Sequence, residues 1–141
     1  MEAAGRGVRV AVVVQGWSDH RVFQQASRVL YGALLDHGIE IYEYERSELH
    51  AKAACVDGRW ATVGSSNLDP FSLLLAREAN VFVRDDAFAA EMLGHLRHAI
   101  AHQGKRVGRE THAKRPVWTR ALSWVAYGLM RFALLVTGLK Y

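Results

Sequence analysis

The pair that most constrains this chain is Asp57-Gly58. It stands between two short runs, HAKAACV (50–56) and RWATVG (59–64). Asp-Gly is a preferred two-residue turn of a β-hairpin, because both central residues must take positive φ. The spacing therefore predicts two antiparallel strands joined at 57–58. VRVAVVV (8–14) is β-branched and apolar, which predicts a strand buried on both faces. From Arg21 to His37, residues Val22, Phe23, Ala26, Leu30, Ala33 and Leu34 recur at helical spacing, and Gly38 supplies a stop. IEIYEY (39–44) alternates as a strand with one covered face. Strand, helix and strand in that order predict a right-handed crossover between parallel strands. Asp69-Pro70 suits a helix N-cap and first turn. EANVFVRD (78–85) predicts another strand. Residues 86–101 predict a helix with an apolar arc of Phe88, Met92, Leu93, Leu96 and Ile100. The fold class expected is α/β, a mixed β-sheet flanked by helices.

A chain of 141 residues suits one domain, and a hydrophobic half is too much for a disordered segment. The net charge of +4 fits an anionic partner, whether phosphate ester, nucleic acid or acidic lipid surface. The single cysteine, Cys55, excludes an internal disulfide framework, and its apolar surroundings predict a small buried residue in a reducing, cytoplasmic setting. The apolar run near the N-terminus is too short and too β-branched for a signal peptide. No internal repeat or low-complexity tract is present, and little chain precedes the first strand.

In a strand, residues two apart share a face. His50 and Lys52 therefore point together, while Ala51 and Ala53 leave the opposite face free to pack. An unpaired charge in a covered sheet is costly, and a bound anion would offset that cost. The hairpin returns Gly64, Ser65, Ser66 and Asn67 beside the start of the strand. Glycine permits close backbone approach, and the hydroxyl and amide add donors. The set reads as a phosphate seat with one cation, several neutral donors and one imidazole. That imidazole could serve as general acid or base, or attack phosphorus to form a phosphohistidine. A nucleophilic histidine needs its other ring nitrogen held by an acceptor. Glu78, at the start of the next strand, is the candidate.

The pattern His-x-Lys-x4-Asp-x6-Gly-Ser-x-Asn stands here as His50, Lys52, Asp57, Gly64, Ser65 and Asn67. It resembles the HKD motif of the phospholipase D superfamily, and its surroundings resemble the second such motif in the B-type branch of the bacterial cardiolipin synthases. The resemblance runs from about Val8 to the C-terminus. It implies a phospholipase D-like half and metal-independent phosphatidyl transfer on phosphatidylglycerol or a related phospholipid, with no cofactor. One HKD histidine would attack the phosphodiester and the histidine of a second HKD would protonate the leaving alcohol. On this resemblance His50 is one of the pair, Lys52 and Asn67 bind phosphate oxygens, Ser65 adds a hydrogen bond, Glu78 orients His50, and Asp57 and Gly64 are structural. Cardiolipin synthases carry two HKD motifs, and this chain carries one. A second HKD-bearing half or a homodimer partner is therefore expected. A dimeric single-HKD phosphodiesterase or nuclease, and an inactive truncated half, are the alternatives. Nothing interleaves basic and aromatic residues as a strand-binding groove would, so no nucleic acid partner is expected.

The remaining features divide the chain into a globular part (1–103), a basic linker (104–116) and a C-terminal apolar helix (117–141). The segment 104–120 holds Lys105, Arg106, Arg109, Lys114, Arg115 and Arg120 against one acid, Glu110. Residues 121–139 are long enough to just span a bilayer core of about 30 Å. Arg120, Ser123, Tyr127 and Arg131 form one narrow polar face, however, and a mid-span arginine costs roughly 2.5–3.5 kcal/mol. An amphipathic helix in the membrane interface is the preferred reading, with basic residues drawn to anionic lipid. Packing on a partner domain is the other. The location expected is the cytoplasmic face of the bacterial inner membrane, peripheral or anchored by this helix. Glu91, His95, His98 and His102 read as a solvated stripe rather than a metal site. Asp19 and His20 follow a strand and could line a pocket mouth. Trp17 and Trp60 read as packing residues.

Overall fold

A computed structural model of the chain describes residues 1–17, 21–66 and 77–136. In chain order it contains helix α1 (Glu2–Gly5), strand β1 (Ala11–Gln15), helix α2 (Arg21–Ser27), a 3-10 turn (Arg28–Leu30), helix α3 (Tyr31–Asp36) and strands β2 (Glu40–Tyr44), β3 (Lys52–Val56), β4 (Trp60–Gly64) and β5 (Asn80–Arg84). Helix α4 (Asp86–Gln103), strand β6 (Gly104–Arg106), helix α5 (Arg109–Ala113) and helix α6 (Val117–Val136) follow. The architecture is mixed α/β, as expected, but the strands form two sheets of three rather than one. Asp69-Pro70, Asp19, His20 and residues 137–139 lie outside the described residues. The chain divides into two compact units: Met1–Glu48 with Gln103–Tyr141, and the continuous segment Leu49–His102.

In the first unit β2 is central. It pairs in parallel with β1, from Ala11↔Glu40 to Gln15↔Tyr44, and antiparallel with β6, from Tyr42↔Arg106 to Tyr44↔Gly104. The crossover helix ends as the sequence predicts. Gly38 takes φ +75°, its N–H donates to Leu35 O, and the N–H of Ile39 donates to Leu34 O. These are the two bonds of a Schellman cap. Tyr31, Leu35 and Ile41 form the core, with Val12, Val14, Leu34 and Val107 packed around it. The expected two-sided burial of the first strand is not met. β1 is an edge strand, so its valines are half-buried while Ile41 on β2 is fully enclosed.

On the same face of β2 as Ile41 lies Glu43. Its Oε1 accepts from Arg28 Nε at 3.0 Å and from the Tyr31 hydroxyl at 3.2 Å, and lies 2.9 Å from Arg28 Nη2. Burial, then the Glu43 charge, raises the Tyr31 phenol above its ordinary pKa.

Helix α6 packs on α2. Ser123 faces inward, with its hydroxyl 3.0 Å from Thr119 O and 3.1 Å from Gln25 Oε1, and Ala126 and Ala26 are buried. The predicted polar face is thus turned toward the protein at Ser123. Trp118, Leu122, Val125, Leu129, Phe132 and Val136, spaced four and three apart, are half exposed or more. Among the described residues no helix is long and apolar enough to cross a membrane.

In the second unit β3, β4 and β5 are antiparallel neighbours in that order. Asp57 and Gly58 take φ of 53° and 63°, and the N–H of Arg59 donates to Val56 O. This is the predicted turn chemistry. The register opposes Val56 to Trp60, so Arg59 is one extra loop residue before the second strand. Helix α4 starts at an N-cap, where Asp85 Oδ1 accepts from the Phe88 N–H at 2.8 Å. Ala89 and Ala61 are buried, and the half-buried Cys55 has its Sγ 3.5 Å from Ala89 O. Trp17 and Trp60, expected to pack, are about half exposed, and Arg84 lies over the Trp60 ring at 5.3 Å.

Candidate active site

The register of the second sheet sets Lys52, Gly64 and Asn80 in one row across β3, β4 and β5. Directly opposed residues share a face. This face is the one away from Ala61 and Cys55, and it continues along the sheet as Ala54, Thr62 and Phe82, with Phe82 largely exposed. Alanine at position 53, on the covered side, leaves room for packing there. Two residues past the strand ends lie His50 before β3, Ser66 after β4 and Glu78 before β5.

The edge is tightly tied. The Ser65 N–H donates to Ala79 O at 3.0 Å, and the Ala79 N–H donates to Ser65 Oγ at 3.1 Å. Asn80 Nδ2 donates to Ser66 Oγ at 2.7 Å. A Cβ on Gly64 would overlap the Asn80 side chain and lie 2.7 Å from Asn80 Cα. Only glycine lets β5 come this close. Asn80 is a residue that sequence reasoning missed. Its one signal is period-two spacing from Glu78, which places it on the same face.

Lys52 is half-buried, and its ammonium donates to His50 O at 2.8 Å. His50 is exposed and Glu78 half-buried, and no hydrogen bond joins the His50 ring to Glu78. Asp57 lies at the far end of β3, five residues from Lys52 and roughly 17 Å along the strand, where it holds a positive-φ turn position. Asn67 lies outside the described residues. The described edge therefore sets the Lys52 ammonium in a row with Gly64 and Asn80, ties the Ser65 and Ser66 hydroxyls to Ala79 and Asn80, and leaves the imidazole of His50 exposed two residues before the strand. Such a set can bind an oxyanion and present a nitrogen to it.

The solvated stripe on α4 is a separate feature. His95 Nε2 lies 3.8 Å from Glu91 Oε1, and the His98 and His102 rings stack at 4.2 Å. Among the described residues no group of three or more His, Cys, Asp or Glu side chains could hold a metal ion.

Strand β3 carrying Lys52, the Asp57-Gly58 turn and strand β4 running into Gly64-Ser65 form the hairpin on which the phospholipase D-like pattern of the sequence falls. Residues 1–100 match the family described as "Cardiolipin synthase, PLD-like domain", and the chain belongs to that family. It is 41% identical over 130 residues to cardiolipin synthase B of Salmonella typhimurium, covering 92% of this chain and 32% of the relative. It is 40% identical over the same length and shares to cardiolipin synthase B of Escherichia coli K12. With cardiolipin synthase A of Yersinia pestis the identity is 37% over 125 residues, covering 89% and 26%. The chain thus spans about a third of the length of the first two relatives. No solved structure matches it.

Proposed function

We propose that the chain carries one half of the catalytic centre of a phosphatidyltransferase that makes cardiolipin from phosphatidylglycerol. The carrying observation is the Lys52–Gly64–Asn80 row, with His50 at its edge and its face open. His50 supplies one of two imidazoles, and the other comes from a second HKD segment in a partner half or a second copy. One imidazole attacks phosphorus, forming an N–P bond, as the P–O bond to the departing glycerol breaks. The other gives that glycerol its proton. The second imidazole then takes a proton from the hydroxyl of an incoming phosphatidylglycerol, whose oxygen displaces the first histidine. Lys52, Ser65 and Asn67 hold the phosphate oxygens. Glu78 accepts from the other ring nitrogen of His50, a bond that forms when substrate draws the edge together. No metal takes part.

The membrane part of the proposal rests on α6. Its exposed apolar stripe and the basic residues just before it suit a helix lying on an anionic bilayer at the cytoplasmic face of the bacterial inner membrane.

A chimera tests the reading. The matching 130 residues of Escherichia coli cardiolipin synthase B are replaced by this chain, and lipids are resolved after incubation with phosphatidylglycerol vesicles. The unaltered chimera forms cardiolipin and free glycerol, and His50→Asn forms neither. A folded chimera without product, or activity that survives His50→Asn, would sink the assignment.

A further inference from the structure

The second sheet ends on a strand with an open side. β5 pairs only with β4, which makes it an edge. The Ser65 N–H donates to Ala79 O, just ahead of the ladder that runs from Gly64↔Asn80 to Trp60↔Arg84. In an antiparallel ladder, bonded pairs alternate with pairs whose N–H and C=O groups point away. Val81 and Val83 therefore bond toward β4. The backbone groups of Asn80, Phe82 and Arg84 point outward, with no backbone partner among the described residues. Edges are ordinarily blunted by lysine, proline or a bulge. Lys52 stands on the opposite edge, β3, but Asn80–Arg84 holds none of the three, and its register against β4 is unbroken. Val81 is 59% exposed and Phe82 73%, on opposite faces of this edge.

Strand β5 also fits itself. Turned antiparallel about a two-fold axis at Phe82, it sets Asn80 opposite Arg84 of a second copy, Val81 opposite Val83 of that copy, and Phe82 opposite its own counterpart. Every residue of the strand is paired, outward groups meet outward groups, and no charge faces a like charge. The two phenyl rings meet as a cross-strand aromatic pair, one of the stabilising kinds. We infer that β5 is an interface between two copies of this chain, joined edge to edge into a continuous sheet of six strands. The two β3 strands then lie five strand spacings apart, about 24 Å. This interface is thus separate from the meeting of two imidazoles, and it leaves the His50 end of the sheet open.

The test follows self-association of the whole chain by sedimentation equilibrium. Phe82→Lys and Phe82→Glu each place like charges across the axis. Each is expected to weaken association about tenfold, equivalent to 1.4 kcal/mol. Their equimolar mixture restores it, because lysine then faces glutamate, and a misfolded variant could not be rescued in this way. In a Cys55→Ser background, Phe82→Cys lies about 5.5 Å from its counterpart between Cα atoms, within disulfide reach, and forms an interchain disulfide on mild oxidation. Val63→Cys, exposed one strand inward, lies about 14 Å from its counterpart and does not. The proposal is overturned if the chain is monomeric, if either charge variant associates as the parent does, if the mixture fails to recover, or if Val63→Cys crosslinks as readily as Phe82→Cys. Parent-like association of both charge variants, with unfolding only of the chimera, would overturn it in favour of a strand from the longer relatives on this edge.

Discussion

The two sheets treat their polar side chains in opposite ways. On β1–β2–β6, Glu43 is answered by Arg28 and by the Tyr31 hydroxyl. On β3–β4–β5, Lys52 reaches only the backbone carbonyl of His50, and the side chains of His50 and Glu78 have no hydrogen-bond partner among the described residues. A polar group satisfied inside the fold stabilises the fold. One left unsatisfied on an open face is available to a ligand. The Glu43 carboxylate thus serves the structure of its sheet, whereas the side chains of His50 and Glu78 are left without a bond in the other.

The contrast breaks or sharpens under five substitutions. Glu43→Ala strips Arg28 and Tyr31 of their partner and is expected to cost about 2–3 kcal/mol in denaturant unfolding, a little under the usual cost of halving a buried pair because some solvent contact remains. Glu78→Ala, by contrast, should stay within about 0.5 kcal/mol while abolishing transfer in the chimera. Equal costs for the two carboxylates would erase the distinction. Next comes Gly64→Ala, which forces β5 away and should cost about 2 kcal/mol with a lowered melting temperature. Ser123→Ala removes the donor to Gln25 or Thr119 and should cost about 1 kcal/mol, whereas Trp118→Ser on the outer stripe should leave stability within about 0.5 kcal/mol.

The smallest effect is a pH slope. Burial, then Arg115, Arg120 and Arg28, lowers the His112 pKa from 6.5. The unfolded chain then takes up this proton first, so stability is full above pH 6.5 and falls as pH drops through the folded value. His112→Asn should flatten that first decline. The carboxyl of Glu40, held low chiefly by Arg9, contributes its own loss only below its ordinary 4.5. Unchanged unfolding profiles between pH 6.5 and 4.5 in His112→Asn would count against the burial of this ring.

Local features were legible where one or two residues dictate backbone shape. Asp57-Gly58 announced its turn and Gly38 its cap, because few other residues tolerate those φ values. The return of Gly64 beside Lys52 followed from the hairpin alone. What escaped depends on partners far along the chain. β6 is only Gly104–Arg106, and its basic residues carry no apolar alternation. It is a strand because β2 offers an edge there. The faces of α6 were readable, but not which one would turn inward. Gln25 on α2 decides that by meeting Ser123.

The Glu45 N–H donates to Gln103 O at 3.2 Å, and Tyr44 at the end of β2 faces Gly104 at the start of β6. The His-Lys segment therefore departs and rejoins at one doorway in the surrounding ladder. A cut at two neighbouring peptide bonds frees it whole, and a short turn suffices to seal the opening.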